Sequence, residues 1–177
     1  MRMPEKFETD RLVLTRLRYE DADEIFYTYA SKHEATKYVA WPRHINIKDT
    51  RAFLDYAVSG WNKGIDFSYG IRIRSSNRFI GSCGVMNNSG KIQFGYVLGP
   101  NHWGNGYATE VCQKLLKILK SEPEVYRIGT FVDIDNHASS KVLLKAGLVE
   151  EAHLVNWFRF VNQNDEPKDC ILYKYPM

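Results

Sequence analysis

Three runs that alternate apolar and polar residues, DFSYGIRI (66–73), RFIGSCGVM (78–86) and KIQFGYVLG (91–99), follow one another with only the short polar turns SSN and NNSG between them. Turns this short join antiparallel neighbours, so the middle of the chain reads as a meander. Then the pattern changes. ATEVCQKLLKILKS (108–121) places Val111, Leu115, Ile118 and Leu119 at helical spacing, with Pro123 beyond its end, and YRIGTFVDI (126–134) is again a strand. A strand–helix–strand crossover joins parallel strands. One sheet therefore has to hold both kinds of pairing, which limits the fold to a mixed α/β architecture.

The flanks extend this scheme. RLVLTRL (11–17) reads as a first strand, and EDADEIFYTYAS (20–31) as a helix with acidic residues in its first turn. A second helix begins at Asn46, with Asp49 three residues on, carries Phe53, Leu54, Ala57, Val58 and Trp61 on one face, and closes at Gly64. After the crossover, HASSKVLLKAG (137–147) is a short helix ended by Gly147, and AHLVNWFRF (152–160) and CILYKY (170–175) are two closing strands. This gives a central sheet of about seven strands flanked by about four helices. With 177 residues and no repeat, linker or low-complexity stretch, residues 1–177 read as a single domain.

Several classes drop out on charge and composition. A net charge of +3 with scattered Lys and Arg gives no nucleic-acid footprint. Cys83, Cys112 and Cys170 are far apart and odd in number, which supports neither a disulfide framework nor a metal site. The expectation is a cytoplasmic chain with no membrane segment, no bound metal and no direct nucleic-acid partner. A homodimer is compatible with the aromatic content.

HWGNGYATE (102–110) sits between the last meander strand and the crossover helix. The first N–H groups of a helix have no internal partner and carry positive partial charge. Glycines such as Gly104 and Gly106 let a phosphate come close to them. Two familiar phosphate motifs do not fit. The third position of a dinucleotide GxGxxG is Thr109, and no Lys-Ser or Lys-Thr completes a nucleoside-triphosphate loop.

The wider segments GYVLGPNHWGNGYATEVCQKLLKIL and YRIGTFVDIDNHASSKVLLKAGL, with the opening FETDRLVLTRLRYEDADEIF, closely resemble the GNAT superfamily of acetyl-CoA-dependent N-acetyltransferases. Within it they look like the branch of ribosomal-protein N-terminal (alanine or serine) acetyltransferases. The family loop runs Gln/Arg-x-x-Gly-x-Gly/Ala. Gly106 and Ala108 fill its last two places, and Trp103 stands where Gln or Arg is usual, as is common in that branch. By this resemblance, backbone N–H groups from Trp103 through Gly104, Asn105, Gly106, Tyr107 and Ala108 to Thr109 hold the coenzyme A diphosphate. Val97 and Leu98 pair with the pantetheine arm through their backbone, and one of their N–H groups polarises the thioester carbonyl. Asn136 bonds near the pantetheine, Ser139 supports the departing thiolate, and Lys141 approaches the 3′-phosphate. The general-acid tyrosine of many members is replaced here by Leu143.

The same resemblance raises the question of a base. The branch often carries a carboxylate where this chain has Gln93, which can orient an amine but takes no proton. An α-amine (pKa ~8) is neutral to about one part in ten at pH 7, whereas neutralising a lysine amine (~10.4) costs roughly 3 kcal/mol more. Gln93 therefore favours an N-terminal acceptor, and it equally permits a coenzyme-binding protein without turnover. Polyamines or aminoglycosides are the alternative acceptors, and they call for a cleft supplied with acid by YEDADEIF. Asp133 and Asp135 either face the cleft or serve a turn. Arg72 and Arg74 read as solvated.

Overall fold

The computed structural model describes residues 1–177. Eight strands form one sheet in the order β1-β2-β3-β4-β5-β6-β8-β7. They are β1 (Lys6–Glu8), β2 (Leu12–Arg16), β3 (Asp66–Ile73), β4 (Phe79–Asn88), β5 (Lys91–Leu98), β6 (Arg127–Asp133), β7 (Val149–Arg159) and β8 (Pro167–Lys174). Every neighbouring pair is antiparallel except β5 with β6, the pair joined by the helical crossover. The last hairpin places β8 beside β6 and leaves β7 at the edge.

Five helices accompany the sheet: α1 (Ala22–Ile25), α2 (His33–Thr36), α3 (Ile47–Lys63), α4 (Tyr107–Lys120) and α5 (His137–Ala146). Between α1 and α2 the chain continues in a π turn, Phe26–Ala30. The helix expected over 20–31 is thus a composite of 3-10, α and π turns. The strand count exceeds the sequence reading by β1, whose three residues KFE are too few to show a period. The helix count exceeds it by the four-residue α2.

Strand alternation sorts the core onto two faces. Leu12, Leu14, Tyr69, Ile71, Ile92 and Phe94 pack with Val111, Leu115 and Leu119 of α4 and Leu143 of α5 in one large cluster. On the other side Leu17, Ala22, Ile25, Tyr29, Leu54 and Phe79 form a smaller one under α1 and α3. Burying a side chain of this size stabilises by about 1.5–3 kcal/mol, so both faces have a reason to stay covered. Arg72 departs from its expected solvation. Its side chain is half-buried, its guanidinium lies 5.2 Å from the centre of the Phe79 ring, and it pairs with Asp21 (3.1 Å) and Glu24.

Candidate active site

The parallel ladder is short. It has the register pairs Lys91↔Arg127, Ile92↔Ile128 and Gln93↔Gly129 and then stops. β5 stays paired with β4 as far as Leu98, and β6 with β8 as far as Asp133, so the two strands diverge and a gap opens inside the sheet. α4 follows β5 and α5 follows β6, which brings both helix N-termini to the open end of that gap. The Gly99 N–H donates to the Ile80 carbonyl at 2.9 Å. Backbone groups alternate sides along an antiparallel strand, so Val97 turns its backbone to β4, while Tyr96 and Leu98 turn theirs to the gap. Of the expected pair Val97 and Leu98, only Leu98 offers its N–H there. Its carbonyl accepts the indole N–H of Trp103 at 3.0 Å. That bond gives Trp103 a structural task, folding the loop back onto the strand end.

The loop itself is built to leave donors free. Gly104 (φ 76°) and Gly106 (φ 77°) are both left-handed. A Cβ on Gly104 would meet nothing within 4 Å, and one on Gly106 only Nη2 of Arg11 at 3.5 Å. No side chain caps α4. The consecutive backbone N–H groups of Gly104 through Thr109 find no acceptor anywhere in the protein. The Trp103 N–H is the exception among the expected donors, because it is already spent on the Pro100 carbonyl (3.2 Å). Open space over the glycines, free N–H groups and the positive end of α4 suit a diphosphate.

Side chains brace the loop from behind. Asn105 Nδ2 donates to the carbonyls of His102 (3.2 Å) and Trp103 (3.0 Å). Arg11 donates through Nη1 to the Asn105 carbonyl (3.0 Å) and through Nε to Glu110 (2.7 Å), with its guanidinium 4.6 Å from the Tyr107 ring centre. Glu110 also accepts from the Arg11 N–H and the Thr9 hydroxyl. Burial raises its carboxyl, but the bonds from Thr9 and Arg11 outweigh that and hold it below the usual value.

Across the gap, Asn136 caps α5 by accepting the Ser139 N–H on Oδ1 at 3.2 Å. Its amide nitrogen stays free, so cap and ligand donor coexist in one side chain. Ser139 Oγ lies 3.1 Å from the phenolic oxygen of Tyr96, and this contact joins β5 to α5 across the divergence. Leu143, one turn further, is 2 % exposed and faces the core. Lys141 is exposed and lies two residues, about 200°, around the helix from Ser139. By that angle it does not share the helix face of Ser139. Tyr96 escaped the sequence reading. Its signal was the missing tyrosine at Leu143, since a vacated role invites a search of the facing strand.

Gln93 occupies the last rung of the ladder, exposed, with its side chain on the sheet face opposite Tyr96. Asp133 shares that face but is 1 % exposed, and its carboxylate accepts the Asp135 N–H (2.9 Å) and Gln163 Nε2 (2.9 Å). Asp135 pairs with Lys168 at 2.6 Å. Both aspartates are thus engaged in the β6–α5 turn. A polar cavity of about 460 Å³ opens beside that turn, lined by residues that include His33, Lys37, Asn162 and Asn164. Burial, with Arg78 nearby, lowers His102 below the ordinary histidine value. The three cysteines are free and buried, and burial pushes the Cys112 thiol up to about 12. Phe158 packs against Phe131 and Phe160 while Trp157 stays exposed. No three His, Cys, Asp or Glu side chains gather as a metal site, and no helix is long and apolar enough to cross a membrane.

Comparison with known proteins gives the family and the fold. Residues 11–149 match the model of the acetyltransferase (GNAT) domain. The uncharacterized N-acetyltransferase YoaA of Bacillus subtilis (strain 168) is 31% identical over 169 residues, covering 94% of this chain and 93% of that protein. Among solved structures, the microcin C7 self-immunity acetyltransferase MccE, in complex with acetyl-CoA and AMP, superposes with a TM-score of 0.88 at 20% identity, covering 99% of this chain and 98% of that one. RimL, a ribosomal L7/L12 alpha-N-protein acetyltransferase in complex with coenzyme A, does so with a TM-score of 0.88 at 16% identity, covering 98% of each. At these identities the structures speak to the fold.

Proposed function

The chain belongs to the acetyltransferase (GNAT) family and is an N-acetyltransferase, and from that premise we propose that it transfers acetyl from acetyl-CoA directly to the α-amine of a protein or peptide N-terminus, as in the ribosomal-protein branch it resembles. The observation that carries the coenzyme half of this reading is the run of unpaired N–H groups over the two left-handed glycines. Gly104 to Thr109 take the diphosphate there. Leu98 and Tyr96 offer the pantetheine arm a strand edge in the gap, and the Leu98 N–H is aimed at the thioester carbonyl, where such a donor is worth about 2.7–4 kcal/mol. The coenzyme supplies an acetyl group already activated as a thioester.

The two faces of the gap divide the remaining work. On the α5 side the Ser139 hydroxyl serves the sulfur and Asn136 Nδ2 steadies the pantetheine. On the other face Gln93 meets the incoming amine and orients it, and water removes the proton. That suffices for an amine of pKa ~8 and is poor for one above 10. Two of the four acids in that stretch, Asp21 and Glu24, are already paired with Arg72, which leaves less charge there for a polycationic acceptor.

Free-thiol release from acetyl-CoA across N-terminal peptides, polyamines and aminoglycosides, at neutral and mildly alkaline pH, tests the reading. Release with peptides that stops when their α-amine is blocked supports it. Turnover confined to polyamines or aminoglycosides rejects the acceptor.

A further inference from the structure

The acetyltransferase reading gives Ser139 a task at the sulfur, but a serine in a first helical turn has a freely rotating hydroxyl with a single hydrogen. Something has to aim it. The only side-chain partner of Ser139 Oγ is the phenolic oxygen of Tyr96, 3.1 Å away across the β5–β6 divergence. The Tyr96 hydroxyl in turn has no other partner in the protein. Two hydroxyls at this distance can bond in either direction, and the directions differ in consequence. If Ser139 donates to Tyr96, its one hydrogen is consumed and nothing is left for the sulfur. If Tyr96 donates to Ser139, the serine hydrogen is free to turn into the gap.

We propose that Tyr96 is a positioning residue that donates its phenolic hydrogen to Ser139 Oγ and thereby presents the serine hydrogen to the coenzyme sulfur as the thioester breaks. In that step the amine nitrogen bonds to the acetyl carbon and the C–S bond breaks with its electron pair passing to sulfur. Nitrogen loses a proton to water, and the sulfur, held meanwhile by the Ser139 hydrogen bond, takes one from water as the free thiol leaves. Ser139 and Tyr96 end unchanged.

Three further features fit this role. Burial pushes the Tyr96 phenol well above the usual tyrosine value, so it keeps its hydrogen available across any working pH. The ring packs against the main core cluster and its strand is paired with β4 along its whole length, so the hydroxyl is held rigidly. Leu143 closes off the helical position from which a phenol would otherwise come. Hydroxyls in series also polarise one another, so the second strengthens the donation of the first.

The test is a kinetic cycle of Tyr96→Phe, Ser139→Ala and the double variant, with kcat and the acetyl-CoA KM measured separately. We expect Ser139→Ala to lower kcat by about 100-fold and Tyr96→Phe by about 10-fold, on the scale of a lost transition-state donor and its support. The acetyl-CoA KM should move less than threefold. The double variant should be no slower than Ser139→Ala alone, because residues acting as one unit do not multiply. Multiplicative losses, or a Tyr96→Phe enzyme with wild-type kcat, overturn the proposal. Equal loss of kcat and melting temperature with no coupling would assign Tyr96 to packing alone and also overturn it. The wild-type rate with an N-terminal peptide as acceptor separates the two levels of argument: silence there removes the proposed acceptor, and turnover leaves only the tyrosine in question.

Discussion

The N-termini of α3 and α4 solve the same physical problem in opposite ways. Each helix starts with N–H groups that have no intrahelical acceptor. At α3, Asn46 accepts the Lys48 N–H at 2.9 Å, and Asp49 reaches back to the N–H groups of Ile45 (2.8 Å) and Asn46 (3.0 Å), a reciprocal capping box. At α4, left-handed Gly106 stands in the cap position and provides no side chain. α3 begins so as to be stable alone. α4 begins with its first N–H groups uncapped, and forgoes about 1 kcal/mol of capping. α5 combines both, with Asn136 capping through its oxygen and keeping its nitrogen free. α1 and α2 also start without a capping side chain, so what sets the start of α4 apart is its two left-handed glycines with a run of free N–H groups.

Four substitutions test that contrast, in falling order of expected effect on coenzyme binding. Gly106→Val should weaken coenzyme A binding at least 100-fold by calorimetry, because its side chain enters the phosphate space at a φ of 77° that β-branched residues avoid. Retained affinity would remove the loop from the site. Asn136→Asp keeps the acceptor for the Ser139 N–H but replaces the free amide with a charge; affinity should fall about 10-fold while the melting temperature barely moves. Equal losses of both would mean that the residue only caps. Glu110→Gln should weaken binding a few-fold by loosening Arg11 and the loop, and it should alter the acid response of the fold. Since the folded carboxyl lies below its unfolded value, its stabilisation is complete above the ordinary value of 4.5 and is lost as pH falls through the folded one. The wild type should thus lose more stability than Glu110→Gln in an acid melt, and parallel curves would discount the Thr9–Arg11–Glu110 cluster. Asn46→Ala should cost about 1 kcal/mol in denaturant titration and leave coenzyme affinity untouched. A change in affinity there would break the contrast.

Most of the elements were legible because they are local. DFSYGIRI is β3 residue for residue, and Asn46, Asp49 and Gly64 bound α3 as their chemistry requires. The crossover between β5 and β6 followed from hairpin and helix spacing. Pairing between distant segments was less accessible. Nothing in the local pattern says that the parallel ladder ends after Gln93, that β8 inserts between β6 and β7, or that Arg72 leaves solvent to hold Asp21 and Glu24. The candidate site divides in the same way. While the part of Gly104, Gly106 and Asn136 in coenzyme binding rested on the family resemblance, the two glycines were readable as a tight strand-to-helix turn and Asn136 as a cap. Tyr96 was not, because strand alternation gives the face on which a side chain lies and says nothing of the serine that faces it from a helix 43 residues away.

The short ladder between β5 and β6 also has a mechanical consequence. A sheet held at its middle by so few rungs is two half-sheets on a seam, and the exposed strand edges of that seam lie inside the molecule. On the function proposed above, coenzyme bound there would act as a stitch. Any ligand that binds only the folded state adds RT ln(1 + [L]/Kd), about 2.7 kcal/mol at a hundredfold excess over Kd, and here that energy falls on the seam. Amide hydrogens of Tyr96 and Leu98 should exchange quickly in the free protein and slow markedly with coenzyme A, while those of β3 and β4 change little.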